Sequence, residues 1–276
     1  MKIVAIANHK GGTGKTTTTL ALGAALAAEG RRTLVVDLDP QASLTLAAGI
    51  TAPTATIWNA MEQILATSAP PAPESLIHAL PTCGLHLLPA SLTLAAADLA
   101  LLNAERREYV LADLLATLRA DYDVVLIDCP PSLNLLVINA LTASHEVLIP
   151  VQPDYLAVGG LSLFMQTIDR VKTRKLNPHL RISGLVLTMT SYTTTHDRAY
   201  IPQLHGLAKR YQIPVLAEVP RATRVRDAAA AGVPITTFAA RHPAAQAYAQ
   251  LADKLILRWG LARAAGVEVL EALTHV

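Results

Sequence analysis

Lys10-Gly11-Gly12-Thr13-Gly14-Lys15-Thr16-Thr17 is the stretch that decides the fold, and it follows an apolar run at residues 2–7. Small residues let backbone N–H groups surround phosphate oxygens, and a helix that starts here adds the positive end of its dipole. In such a loop the Lys15 ammonium reaches the β- and γ-phosphates, and the Thr16 hydroxyl ligates Mg²⁺. The pattern predicts a strand–loop–helix unit that binds a nucleotide through Gly11, Gly12, Thr13, Gly14, Lys15, Thr16 and Thr17.

The rest of the chain alternates short apolar runs with stretches rich in alanine and leucine. The runs are continuous rather than alternating, as in parallel strands that are covered on both faces. They predict strands over residues 2–7, 33–37, 85–89, 123–127, 146–150, 182–189 and 215–219. The other stretches predict helices over residues 15–29, 92–103, 105–119, 161–175, 198–211 and 243–263. This order predicts an α/β fold with a doubly wound, mostly parallel sheet and helices on both faces.

The composition excludes several classes of protein. Apolar residues make up 52% of the 276 residues and charged residues only 16%, which excludes a disordered charged chain and predicts a large core. Two cysteines are too few for a disulfide framework, and we expect both to be small buried side chains. The apolar stretches are shorter than the roughly 20 residues that a membrane-spanning helix needs. We expect a single P-loop domain over residues 1–264 and a C-terminal tail over residues 265–276.

Carboxylates follow two of the predicted strands. Asp37 and Asp39 lie at the end of the second strand, and Asp128 ends the strand predicted at residues 123–127. The carboxyl ends of neighbouring parallel strands meet at one edge of a sheet, which is also where the phosphate loop begins. A lone aspartate after a strand usually caps a turn. Three of them in register with a phosphate loop predict a functional site beside the phosphates.

The phosphate loop has one unusual feature. His9 stands where the ordinary G-x-x-x-x-G-K-[ST] pattern has glycine, and Lys10 precedes two glycines. This K-G-G-x-G-K-T form is the deviant Walker A motif, and the sequence resembles the ParA/Soj-type partition ATPases, within the wider family that includes MinD. The resemblance implies ATP and Mg²⁺ as cofactors. It also implies an ATP-dependent homodimer, in which Lys10 reaches the nucleotide of the other subunit.

The same resemblance assigns roles to the carboxylates. It implies that Asp39 orients the attacking water while Asp37 supports the site. Asp128 resembles the Walker B residue, which holds Mg²⁺ through its water shell. The resemblance thus implies Lys10, Lys15 and Asp39 as catalytic residues, and Thr16, Asp39 and Asp128 as the residues around the metal.

Two later stretches resemble the family more loosely. Residues 150–161 resemble its nucleotide-facing loop before a long helix, although the family often has glutamate at the place of Asp154. Pro220 and Arg221 resemble the segment that flanks adenine, but the chain departs from the family at Ala222 and Ala229. The resemblance covers about residues 1–258.

Basic residues concentrate in the second half of the chain. Arginine and lysine on one surface neutralise phosphates without reading base sequence. The resemblance implies nonspecific binding of double-stranded DNA at Arg224, and Arg198 and Arg226 are the next candidates. A solvated helix face is the alternative interpretation. Residues 266–273 contain two glutamates and neither lysine nor arginine, so we expect no membrane partner.

These observations favour an ATP-dependent switch that partitions plasmid or chromosome DNA. We expect it to hydrolyse ATP slowly, in the cytoplasm and associated with the nucleoid, with a ParB-like centromere-binding protein or a cargo adaptor as its partner. One alternative is the same switch positioning a protein cargo, such as an organelle or a chemoreceptor cluster. Another is an ATP-dependent ligase of the dethiobiotin-synthetase type, which shares the fold.

Overall fold

The computed structural model describes residues 1–72, 75–193 and 195–261, and a mostly parallel sheet lies at its centre. In this part of the chain the sheet has eight strands, and only β3 and β4 pair antiparallel. The spatial order is β3-β4-β2-β5-β1-β6-β7-β8. The strands are β1 (Lys2–Ile6), β2 (Thr33–Asp37), β3 (His78–Leu80), β4 (Leu85–Leu88), β5 (Val124–Asp128), β6 (Glu146–Val151), β7 (Arg181–Thr190) and β8 (Val215–Pro220).

Helices cover both faces of this sheet, and their bounds follow here. They are α1 (Lys15–Ala28), α2 (Ser43–Ala47), α3 (Ile57–Thr67), α4 (Ala97–Leu102), α5 (Val110–Ala116), α6 (Leu135–Ala143), α7 (Tyr155–Thr173), α8 (Thr195–Arg210), α9 (Arg224–Ala230), α10 (Ile235–Phe238) and α11 (Pro243–Arg258). A short 3₁₀ helix, Leu92–Ala96, precedes α4. Within the described ranges no helix is both long and apolar enough to cross a bilayer.

The core has two layers because successive strand residues point to opposite faces of the sheet. Val125 and Ile127 of β5 pack with the helices on one face, which include α3, α5, α6 and α7. Val124 and Leu126 pack on the other face, against α1 and α11. All four strand residues are completely buried. The continuous apolar runs in the sequence follow from this two-sided burial, and the predicted α/β fold is confirmed.

Several predicted helix boundaries are wrong. α7 begins at Tyr155 rather than at residue 161, because the Asp154 carboxylate accepts a hydrogen bond from the Ala157 N–H at 2.9 Å and caps the helix. Gly159 and Gly160 therefore lie inside α7 and not in a loop before it. The helix predicted at residues 105–119 is limited to α5, and the one at 92–103 is divided into the 3₁₀ helix and α4.

The structure also differs from the prediction in the end of α11 and in several short elements that were not predicted. α11 stops at Arg258, before Gly260, whose φ of +65° is left-handed. The sequence analysis missed β3, α2, α3, α6, α9 and α10. A signal for α3 was present, since Thr56 and Asn59 form a capping box at its start. The predicted C-terminal tail, residues 265–276, lies outside the described residues.

The strand order brings the predicted site together. β1 lies between β5 and β6, so the loop that follows β1 emerges at the centre of the carboxyl edge. Asp37 at the end of β2 pairs in register with Asp128 at the end of β5. Asp128 is also in register with Ile6, the last residue of β1. Adjacent strand ends thus place both carboxylates beside the phosphate loop.

Candidate nucleotide-binding site

The loop between β1 and α1 forms a cradle of backbone groups. Gly12 and Gly14 have φ values of +73° and +81°, a left-handed conformation that glycine adopts without steric cost. Gly14 is the N-cap of α1, so the free N–H groups of the first turn of the helix begin at Lys15. Gly11 and Gly12 are exposed at the mouth of the cradle. This arrangement suits an anion such as a phosphate group.

Side-chain hydrogen bonds hold the cradle in place. Lys15 is buried, and its Nζ donates to the carbonyl oxygen of Lys10 at 3.0 Å. Thr188, near the end of β7, donates its hydroxyl to the carbonyl oxygen of Thr13 at 2.8 Å. The sequence analysis missed Thr188, although its place near the carboxyl end of a parallel strand was a usable signal.

A cleft of about 730 Å³ opens over this loop. Its volume is in the range of small-molecule and cofactor sites. The cleft extends from the phosphate loop to the end of β8 and the start of α9. Its lining includes Gly11, Gly12, Thr13, Gly14, Lys15, Thr16, Thr17, Asp39, Gln41, Ser43, Pro131, Met189, Pro220, Arg221, Arg226 and Tyr248. The cleft therefore brings together the predicted residues of the phosphate loop from Gly11 to Thr17 with Asp39, Pro220 and Arg221, whereas Lys10 does not line it.

The charged groups at the base of the cleft shift one another's pKa values. Complete burial raises the pKa of Asp128 well above its usual range, and the neighbouring Asp37 raises it further, while a hydrogen bond from Thr16 and the charge of Lys15 oppose both. Burial lowers the pKa of Lys15, and Asp128 and Asp39 oppose that change. Lys15 and Asp128 thus favour each other's charged forms, whereas Asp37 disfavours the charged form of Asp128.

Asp37 is hydrogen-bonded to the segment that follows β2. It is completely buried, and its Oδ2 accepts hydrogen bonds from the Thr45 N–H at 2.8 Å and the Thr45 hydroxyl at 2.7 Å. Its Oδ1 accepts a further hydrogen bond from the Asp39 N–H at 3.1 Å. Burial raises the pKa of Asp37 to about 6, even though these hydrogen bonds favour the charged form. Asp37 holds the loop that presents Asp39 to the cleft.

The donor set fits a magnesium ion. Asp128 is buried, and among the described residues its Oδ2 has no hydrogen-bond partner. The Thr16 hydroxyl contacts the same carboxylate and also lines the cleft. Mg²⁺ in phosphate sites is bound by one or two such oxygen groups together with water and phosphate. Thr16 and Asp128 would supply these oxygens to a bound Mg²⁺, and Asp39 also lines the cleft.

The extra lysine of the loop is held within its own chain. The Lys10 ammonium forms an ion pair with Asp154, the residue that caps α7. Beside it, the His9 ring lies against Gly160 so closely that a Cβ at this glycine would be 2.8 Å from His9 Cε1. Burial, reinforced by the charges of Lys15 and Lys10, lowers the pKa of His9. Two contacts therefore dock α7 on the phosphate loop.

Comparison with known proteins identifies the family. Residues 1–182 match a family described as an AAA domain. The chain is 39% identical over 259 residues to the chromosome partitioning protein ParA of Myxococcus xanthus, covering 93% of this chain and 88% of that protein. It is 40% identical over 255 residues to the sporulation initiation inhibitor protein Soj of Bacillus subtilis, with coverages of 92% and 98%. The chain belongs to the ParA/Soj family.

Solved structures agree with this assignment. The septum site-determining protein MinD of Pyrococcus horikoshii, complexed with Mg-ADP, has a TM-score of 0.75 at 26% identity, covering 96% of this chain and 99% of that one. A cobyrinic acid a,c-diamide synthase from Mycobacterium smegmatis, with bound ADP and magnesium, has a TM-score of 0.79 at 38% identity. The coverages are 95% and 96%. The predicted family and fold are confirmed, and both of these related structures contain ADP with magnesium.

In this ParA/Soj-family chain the cleft extends to the residues that the sequence analysis predicted to flank adenine. Pro220 and Arg221 line this end of the cleft, together with Val219, Ala222 and Val225, and their contact with adenine stays a prediction. The sequence analysis missed Met189 and Tyr248. Met189 lines the cleft from a left-handed backbone conformation, with φ of +53°, directly after Thr188. Tyr248 of α11 lines the cleft and is within 3.1 Å of the Thr18 hydroxyl of α1.

The basic residues do not form one continuous surface. The bounds of α7, α8, β7 and β8 place Arg170, Lys172, Arg174, Lys175, Arg181, Lys209 and Arg210 at the amino edge of the sheet. Arg198, Arg221, Arg224 and Arg226 are instead at the carboxyl edge, on the side of the cleft. Arg224 is within 3.8 Å of Asp227 at the surface. The structure separates the three arginines predicted to bind DNA from most of the other basic residues.

Cys129 and Cys83 differ in environment. Cys129 is fully buried as expected, and burial raises the pKa of its thiol. Cys83 is only half-buried, so the expectation that both are buried is wrong for this residue. Neither cysteine lines the cleft.

Proposed function

We propose that the chain is an ATP-dependent dimerising switch that binds DNA nonspecifically and partitions plasmid or chromosome DNA. The observation that carries the proposal is the position of Lys10. This lysine lies next to a cleft lined by a complete phosphate loop, Asp39 and Thr16, yet it pairs with Asp154 instead of facing the phosphate position. Lys15 already supplies the lysine of that position, so Lys10 would exchange Asp154 for the nucleotide of a second subunit.

The cleft would bind ATP with magnesium. The N–H groups of Gly11 to Thr17 would surround the phosphates, and the Lys15 ammonium would neutralise the β- and γ-oxygens. Thr16 and Asp128 would hold Mg²⁺, which neutralises charge on the transferred phosphoryl group. Pro220 and Arg221 would flank the adenine. ADP with magnesium in the related structures supports this assignment.

Hydrolysis would depend on the loop after β2. Asp39 is presented to the cleft because Asp37 accepts its N–H, and its own Oδ1 accepts from the Gln41 N–H at 2.9 Å. A carboxylate fixed in this way orients a water for attack on the γ-phosphate. A carboxylate that orients the water without acting as a strong base would give slow ATP hydrolysis. Slow hydrolysis suits a switch whose ATPase activity is accelerated by a partner protein.

The surface around Lys10 supports the dimer. A groove of about 650 Å³ beside this lysine is bordered by Tyr155, Leu156 and Leu163. These three side chains are 73%, 64% and 44% exposed. Exposed apolar side chains that are bordered by polar residues are typical of protein–protein contacts. A second copy that covers this groove would bring Lys10 to its nucleotide.

DNA binding would use the carboxyl edge. Arg198, Arg224 and Arg226 would contact phosphates, and a dimer would present two such sets at once. Closure of the dimer by ATP would then raise DNA affinity through avidity. A ParB-like centromere-binding protein or a cargo adaptor would stimulate hydrolysis and release the DNA. We expect the protein to act in the cytoplasm, associated with the nucleoid.

Titrations of unrelated duplexes test this function. With Mg-ATP, wild-type affinity should be independent of sequence and fall about 10³-fold between 50 and 200 mM salt if about six phosphates are neutralised. With ADP, binding should be weak. Arg224→Ala should weaken binding to every duplex equally and leave ATP binding intact. Arg174→Ala, which removes the same charge at the amino edge, is the matched control, and an equal loss there would refute the assignment.

A second candidate function is an ATP-dependent ligase. Its specific support is the 38% identity to the chain named as a cobyrinic acid a,c-diamide synthase. A ligase couples ATP to activation of a carboxylate substrate, so a metabolite, rather than DNA with a protein partner, would raise ATP turnover. Measuring turnover with each addition separates the two functions. A switch that serves a protein cargo would respond to a protein partner other than a centromere-binding one.

A further inference from the structure

Two side chains from different segments meet at the Glu218 carboxylate of the edge strand β8. The Tyr192 hydroxyl, just after β7, donates to Glu218 Oε2. His205 of α8 lies with its Nε2 2.8 Å from the other oxygen, Glu218 Oε1. The hydrogen bond to Glu218 raises the pKa of Tyr192 to about 12, so the phenol keeps its proton. Glu218 thus joins β8 to the loop after β7 and to α8.

This network also holds an arginine. Arg198 Nε donates to the carbonyl oxygen of Tyr192 at 2.7 Å. A guanidinium has five N–H donors in a fixed plane, and this bond uses one of them. The bond restrains the guanidinium and leaves its two terminal NH₂ groups for other partners. An exposed arginine held in this way loses less conformational freedom when it contacts a phosphate.

Both chain segments that meet in the network lead directly to the nucleotide cleft. Tyr192 is three residues after Met189, which lines the cleft. Glu218 is two residues before Pro220, which also lines it. The Arg221 N–H donates to the Thr190 carbonyl oxygen at 2.9 Å, which ties the two segments together again.

We propose that Glu218 is a positioning residue for DNA binding, which acts through Tyr192 and His205 to hold Arg198 at the carboxyl edge. The inference rests on the proposed function, since it assumes that Arg198 contacts DNA phosphates. Glu218 itself does not touch the DNA. The negative charge of Glu218 separates a positioning role from a purely electrostatic one. If only electrostatics mattered, removal of the Glu218 carboxylate would tighten DNA binding. Positioning predicts the opposite.

The test measures duplex affinity with Mg-ATP by fluorescence anisotropy at two salt concentrations. Tyr192→Phe removes one hydroxyl and no charge, and it should weaken binding about threefold or more. It should also lower the salt slope toward that of Arg198→Ala, because a phosphate contact is lost. ATP affinity should not change. Tyr211→Phe, directly after the far end of α8, is the matched control and should bind like the wild type.

Two further comparisons separate positioning from a general structural effect. In an Arg198→Ala background, Tyr192→Phe should have no additional effect, because the residue that it positions is gone. Glu218→Ala should weaken DNA binding. Glu218→Gln should bind DNA like the wild type, because its amide can still accept a hydrogen bond from the Tyr192 hydroxyl and donate one to His205. The contacts lie at the surface, so these variants should fold, which circular dichroism checks.

Each failure has a different meaning. Wild-type affinity in Tyr192→Phe, additive effects of Tyr192→Phe and Arg198→Ala, or tighter binding by Glu218→Ala would overturn the positioning role alone. If the wild type does not bind duplex DNA with ATP, the proposed function and this inference are both wrong.

Discussion

Replacement of Lys15 by methionine is expected to remove nucleotide binding without unfolding the protein. Lys15 is only 7% exposed, so its charge acts on the phosphates through partly desolvated surroundings. For unit charges about 4 Å apart and an effective dielectric constant of about 20, the interaction is worth about 4 kcal/mol. This corresponds to a loss of about 10³-fold in ATP affinity.

Calorimetric titration and thermal unfolding together measure this loss. At an ATP concentration of about 100 times the wild-type Kd, bound ATP should stabilise the wild type by about 2.7 kcal/mol and Lys15→Met by less than about 0.1 kcal/mol. The wild-type Tm should therefore rise by about 5–10 °C on addition of Mg-ATP, and that of the variant should not move.

The matched control is Lys172→Met, the same substitution at an exposed position in the last turn of α7. It should keep the full ATP-dependent shift. If Lys15→Met binds Mg-ATP within about tenfold of the wild type, less than about 1.4 kcal/mol is lost and the assigned role of Lys15 is wrong.

The remaining predictions concern the dimer and the packing beside Lys10. Asp39→Ala should bind ATP and form a persistent dimer, whereas Lys10→Ala should bind ATP and stay monomeric; equal dimer fractions on size-exclusion chromatography with Mg-ATP would contradict these roles. Gly160→Ala puts a Cβ 2.8 Å from the His9 ring and should lower the ATP-dependent dimer fraction. Its control is Gly159→Ala, where the added Cβ has no neighbour within 4 Å and should stabilise α7 by up to about 1 kcal/mol without affecting the dimer.

Local sequence was sufficient for the phosphate loop and for most of the sheet. Glycines 12 and 14 need left-handed backbone conformations, and their spacing from Lys15 and Thr16 fixes which groups face a phosphate. Continuous apolar runs predicted seven of the strands because both faces of a parallel strand are buried. The predicted start of α7 was too late in the chain. Gly159 and Gly160 have low helix propensity, but the hydrogen bond from the Ala157 N–H to the Asp154 carboxylate starts the helix before them.

The sequence by itself determined the α/β fold, the phosphate loop and the carboxylates at the strand ends, because these depend on residue type and short spacing. Only the tertiary structure decided which distant residues meet them. Thr188 bonds to the phosphate loop, Lys10 pairs with Asp154, and Glu218 joins Tyr192 to His205. Such contacts depend on strand order and on register between residues that are 13 to 175 positions apart in the chain. The hydrophobic periodicity of a single segment does not predict strand order or register, because both are set only when the strands pair in the sheet.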